Sequence, residues 1–152
     1  MPDESNKTLK SLHDLVATCN DAAEGYGKAA KGVHDRGLSD RLALISGERM
    51  RFVADLERVL SAIERQSTND LHEGGILHTG WVDLETRIRP KEQHEILREC
   101  VSGDEGTLKH YRHALDQELS PVTRTLVADQ HTAVERDLQF LRASLQKHAI
   151  SA

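Results

Sequence analysis

Apolar side chains recur every three or four positions through four separate stretches of this chain, a periodicity that only amphipathic helices packed on one another can satisfy. The first stripe is Leu9, Leu12, Leu15, Val16, Cys19, Ala23, Tyr26, Ala30 and Val33. The second is Leu42, Ile45, Phe52, Leu56, Val59, Leu60 and Ile63. The third runs through Ile96, Leu97, Cys100, Val101, Leu108, Tyr111, Ala114, Leu115 and Leu119, and the fourth through Val122, Leu126, Ala133, Val134, Leu138, Leu141 and Leu145. The stripes predict helices over 6–34, 39–66, 91–119 and 121–148. Each helix is then roughly 40 Å long at 1.5 Å per residue.

The breaks between stripes carry turn chemistry. Asp35-Arg36-Gly37 ends the first, and Ser39 is a candidate N-cap for the second. Ser120-Pro121 pairs an N-cap with a proline at the first helical position. Ser102-Gly103 weakens the third helix by about 1 kcal/mol relative to alanine, and a kink there is one reading. Both short connections imply antiparallel pairs. Residues 67–90 form a longer link, with loop signals at Ser67-Thr68-Asn69-Asp70 and Gly74-Gly75 and a short helix over Thr79–Ile88. The expected fold is all-α: a single four-helix-bundle domain over 1–152, with a long crossover between helices 2 and 3 as in ferritin-like proteins. A plain up-down bundle with a long loop is the alternative.

Composition agrees with helices and removes several functions. Aromatics are 3%, prolines number 3 and charged residues are 30%. Lys+Arg 20 against Asp+Glu 25 leaves a net charge of −5, and no dense basic cluster is present, which argues against nucleic acid. The longest apolar run, Leu42-Ala43-Leu44-Ile45, is far short of a membrane span. Met1-Pro2-Asp3-Glu4-Ser5 opens the chain without a basic or apolar targeting signal. Cys19 and Cys100 lie far apart on apolar stripes, as buried reduced thiols of a cytoplasmic protein do.

Several short elements recur in a characteristic order: Gly25-Tyr26, Arg51-Phe52-Val53-Ala54-Asp55-Leu56, His78-Thr79-Gly80-Trp81, Glu99-Cys100 with Gly103-Asp104 and Tyr111, and Gln130. In this order they resemble an uncharacterised bacterial family of four-helix bundles in the ferritin-like superfamily. The resemblance covers nearly the whole chain and implies the crossover fold, but no established activity. Members more often carry Glu where Asp104 stands, and often an acid where Val101 stands. Both departures count against a metal role.

The residues themselves argue the same way. Di-iron bundles take a Glu from each of two helices and an E-x-x-H pair from each of the other two. No Glu stands three positions before any of the 9 histidines, and Glu24 falls about 130° from its apolar stripe. His110-x-x-His113 has zinc spacing but lies opposite Tyr111 on a solvated face. His131 and Glu135 are i,i+4 neighbours that bind a metal or simply each other. His72, His78 and His94 flank the crossover, and no nucleophile motif is present.

The anomaly is charge on the core faces. At 100° per residue, Arg49, Asp104, Gln130 and Asp137 all fall inside apolar stripes, and Tyr111 lies near them. In the crossover topology Arg49, Asp104 and Asp137 stand about 14, 20 and 18 Å from one bundle end. The main expectation is a buried polar network in which Arg49 binds Asp104, Asp137 or both, with Gln130 and Tyr111 adding hydrogen bonds. The alternative is a degenerate metal site with Asp104 and Asp137 as ligands for iron or manganese. Two functional readings follow. One is a non-enzymatic bundle, stress-associated by family context, that works by self-association or through a protein partner and needs no cofactor. The other is a ferritin-like metal-binding protein or metal-dependent oxidoreductase. Leu44 and Ala62, off the main stripe, favour the first.

Overall fold

The computed structural model describes residues 2–66, 81 and 92–151. They form four helices: α1 (Pro2–Gly32), α2 (Arg36–Gln66), α3 (Gln93–Leu115) and α4 (Pro121–Ser151). Among the described residues there is no strand, and no helix is long and apolar enough to cross a membrane. The expected short helix over Thr79–Ile88 lies outside the described residues except for Trp81.

The helix ends differ from the stripe boundaries for local reasons. Asp35, not Ser39, caps α2: its Oδ1 accepts the Leu38 N–H at 2.8 Å. Ser39 lies inside α2, and its hydroxyl donates to the Ala30 carbonyl at 2.5 Å. α3 stops at Leu115, short of the expected 119. Arg124 reaches back from α4 and donates to the Leu115 and Gln117 carbonyls, both at 2.8 Å, which satisfies acceptors at the end of α3. Leu119 still packs against the core from outside the helix, so the stripe overshoots the element. Ser102-Gly103 interrupts nothing, and α3 passes through it as helix. At the start of α4, Ser120 Oγ accepts the Thr123 N–H at 3.3 Å with Pro121 in the first turn.

Cross-helix bonds give the directions. Cys19 meets Tyr111, Tyr26 meets Asp104, and the His34 N–H meets Gln93, so α1 and α3 are antiparallel. Ser46 bonds to Ala23 and Ser39 to Ala30, so α1 and α2 are antiparallel too. It follows that α2 and α3 point the same way. The core holds Leu12, Leu15 and Tyr26 of α1, Leu42 and Leu56 of α2, Leu97 and Tyr111 of α3, and Leu138 and Leu141 of α4, all essentially inaccessible. α1 packs intimately on α2 and α3, and α3 on α4. The α2–α4 seam is the loosest side of the bundle.

Candidate functional site: a buried polar layer

One layer of the core is charged, and it is built from all four helices. Arg49 of α2 is the largest fully buried side chain, with none of its surface accessible. Its Nη1 donates to Asp104 Oδ1 at 2.6 Å and its Nη2 to Asp104 Oδ2 at 2.8 Å, a two-pronged fit of guanidinium to carboxylate. The same Nη2 also donates to Asp137 Oδ2 of α4 at 3.0 Å. From α1, the Tyr26 hydroxyl donates to Asp104 Oδ2, and the guanidinium lies 5.2 Å from the Tyr26 ring centroid. Burial alone would lower the Arg49 pKa, but the charge and hydrogen bonds of Asp104 prevail and hold it well above its ordinary value. Burial, reinforced by the Asp104 charge, likewise keeps Tyr26 a phenol.

A second polar group sits about two turns away along the bundle, where Cys19, Tyr111 and Gln130 each stand seven residues from Tyr26, Asp104 and Asp137. Tyr111 donates to Gln130 Oε1 at 2.7 Å, and its oxygen lies 3.1 Å from Cys19 Sγ. Gln130 Nε2 reaches the Phe52 carbonyl at 3.5 Å. The bonds of Gln130 and Tyr111 therefore go to each other, to Cys19 and to the Phe52 carbonyl, and none of them goes to Arg49. Burial pushes the Cys19 thiol up to about 11, and Cys100 higher still. Neither thiol is poised as a nucleophile.

Glu48, next to Arg49, carries the layer to the surface through the α2–α4 seam. Its Oε2 accepts from Arg136 Nη2 at 2.9 Å, while its buried Oε1 has no hydrogen-bond partner and lies 3.8 Å from the equally unpartnered Arg49 Nε. Burial, followed by the neighbouring Asp137 carboxylate, raises Glu48 to about 7, against the pull of Arg49 and Arg136. The folded protein thus holds this proton more tightly than the unfolded chain does. The stabilisation is complete below the ordinary glutamate pKa and is lost as pH rises through about 7. The denaturant midpoint is expected to fall from about pH 5 to about pH 8 in the wild type, and Glu48→Gln should flatten that slope. An equal slope in both proteins would assign the titration to other groups.

The remaining candidate ligands do not assemble. Glu24 is exposed and pairs with Lys28 at 2.9 Å. His131 Nδ1 lies 3.3 Å from Glu135. His94 lies 3.4 Å from Glu92, and His113 is exposed. His72 and His78 fall outside the described residues. Among the described residues, no three His, Cys, Asp or Glu side chains converge on a point that could hold a metal ion. A groove of about 240 Å³ between α3 and α4 is lined by Glu105, Lys109, Arg112 and Arg142, among others, and one of about 490 Å³ between α2 and α4 by Arg41, Leu44, Phe140 and Lys147, among others. Neither reaches Arg49, Asp104 or Asp137.

Tyr26, Glu48 and Trp81 complete the site beyond the residues that the sequence places in the polar network. The Trp81 ring is 5.1 Å from Tyr26, centroid to centroid, and its Nε1 donates to Thr107 Oγ1 at 3.1 Å. The indole covers Gly25 of α1 and Gly103 of α3 so closely that a Cβ at either would stand 2.5 Å from a ring carbon. Here the Gly25-Tyr26 and Gly103-Asp104 pairs acquire a physical meaning. In each, the glycine admits the indole and the next residue enters the Arg49 network.

No curated protein matches this sequence. A family model does: that of the domain of unknown function DUF2383 matches residues 7–117, which take in α1, α2, Trp81 and α3, and the chain belongs to that family.

Proposed function

We propose that this chain is a non-enzymatic helical bundle of ferritin-like topology, bacterial and cytoplasmic, that acts by associating with a second copy or with a protein partner, in a stress-associated role. The parallel directions of α2 and α3 support the ferritin-like crossover, since a plain up-down bundle makes consecutive helices antiparallel. The observation that carries the non-enzymatic reading is the place of the Arg49 guanidinium. It spans Asp104 and Asp137 as a bridging cation would, and its fixed charge competes with any metal for the same oxygens.

The test is elemental analysis of protein purified without chelators. The expected result is far less than one iron or manganese per chain, before and after incubation with either metal. Stoichiometric iron or manganese would overturn the reading in favour of a metal store or a metal-dependent oxidoreductase using Asp104 and Asp137.

A further inference from the structure

Two guanidinium groups and three carboxyl groups meet where α2 passes α4. Arg49 gives Nη1 and Nη2 to Asp104, and Nη2 also to Asp137. Arg136 gives its Nη2 to Glu48 at 2.9 Å and stands 3.8 Å from Asp137 Oδ1. Tyr26 of α1 and Cys100 of α3 lie within electrostatic reach of Arg49, but burial keeps both protonated and neither adds charge. The set is therefore neutral only while one carboxyl holds a proton. Glu48 has a place for it. Both oxygens of Asp104 accept from donors and Asp137 accepts from Arg49, whereas the buried Glu48 Oε1 has no hydrogen-bond partner.

Glu48 also stands at the boundary with water. Its side chain is 17% exposed and that of Arg136 59%, while Asp137 and Arg49 behind them are 2% and 0% exposed. The seam around it is the loosest side of the bundle, and Leu44 and Phe52, one turn to either side on α2, are exposed and half-buried. We propose that Glu48 is a proton-operated gate in the α2–α4 seam. Protonated, it lies over Asp137 and Arg49 and keeps water from the polar layer. Ionised, it would set a second carboxylate beside Asp137, so it turns outward with Arg136 and water enters behind it. Water then supplies the partner that Arg49 Nε lacks in the closed form, which offsets part of the cost of opening. Burial and the Asp137 carboxylate centre the change on a pH of about 7.

The buried Arg49 Nε–H reports on the gate directly. Its exchange with water can be followed by nitrogen-15 NMR at about pH 5.5 and about pH 8, after correction for the intrinsic pH dependence of exchange. Protection should fall by about tenfold or more over that span, within the roughly 30-fold that proton linkage allows for a group raised to about 7. The backbone amides of Leu97 and Leu141 in the same sample should lose far less, because the opening is confined to the seam. Glu48→Gln, shown to be folded by circular dichroism, should keep the low-pH protection of Arg49 at both pH values. The carboxyl carbon-13 signal of Glu48 in the wild type, which needs no variant, should titrate with the same midpoint as the exchange. Arg49 protection that ignores pH, or that falls equally in Glu48→Gln, would overturn the gate. So would core amides that lose protection by the same factor, since Glu48 would then act on the whole fold alone, and so would a Glu48 signal that titrates in the ordinary glutamate range.

Discussion

Arg49→Met should destabilise the protein by about 3–5 kcal/mol, the range for breaking one side of a buried ion pair. Asp104 would lose both guanidinium bonds, Asp137 would lose its Nη2 bond, and neither has solvent to replace them. Only the Tyr26 hydroxyl would still reach Asp104. Removing the whole layer is a different experiment. Arg49→Met, Asp104→Leu and Asp137→Leu, with Tyr26→Phe so that no hydroxyl is stranded, leaves no buried charge unpaired. That variant should lose much less stability than Arg49→Met alone. Urea melts of the two proteins decide the matter: a nearly neutral Arg49→Met would mean that the layer contributes nothing to stability despite its burial.

Gly103→Ala should change sign with its surroundings. In an isolated helix, alanine gains about 1 kcal/mol over glycine. Here the added Cβ would stand 2.5 Å from Trp81 Cδ2 and Cε2 and 2.7 Å from Cε3, against a rigid ring that cannot yield as a flexible chain end would. A net loss of about 1–3 kcal/mol is expected, as for other overpacked sites. Trp81 is the only tryptophan, so its fluorescence should shift to the red as the indole leaves its slot. In a Trp81→Ala background the clash is gone, and Gly103→Ala should instead stabilise by up to about 1 kcal/mol. A loss of equal size in both backgrounds would show that the indole is not what requires glycine. Gly25→Ala tests the same slot from α1, where the nearest ring carbons would be at 2.5 and 2.7 Å.

The four helices were legible because their stripes are long, and long periodic segments leave no competing period. Their ends were less so. Asp35 and Ser39 are both good caps on sequence, and the choice depends on the Ala30 carbonyl taking the Ser39 hydroxyl. Leu119 continues the third stripe although α3 has ended, because an apolar side chain packs on the core with or without a helix beneath it. The angular arithmetic placed Arg49, Asp104, Gln130 and Asp137 inward, and all four are buried. It did not place Tyr26 or Glu48 in the network. Tyr26 reads as one more apolar stripe member until the α1–α3 register sets its hydroxyl against Asp104. Glu48 lies about 100° round α2 from Arg49, where the separation of α2 from α4 decides its environment. The Trp81 slot is equally tertiary, since two helices must bring residues 25 and 103 to one level before it exists.

The cation of the polar layer is joined to the chain by covalent bonds. A bound metal stabilises a fold by mass action, so its contribution rises and falls with the free concentration of that metal. Arg49 is present at one equivalent per chain whenever the protein is made. It cannot be chelated, exchanged for a competing ion or cycled between oxidation states. The stabilisation that Arg49 itself supplies to this layer therefore does not vary with the free concentration of any metal.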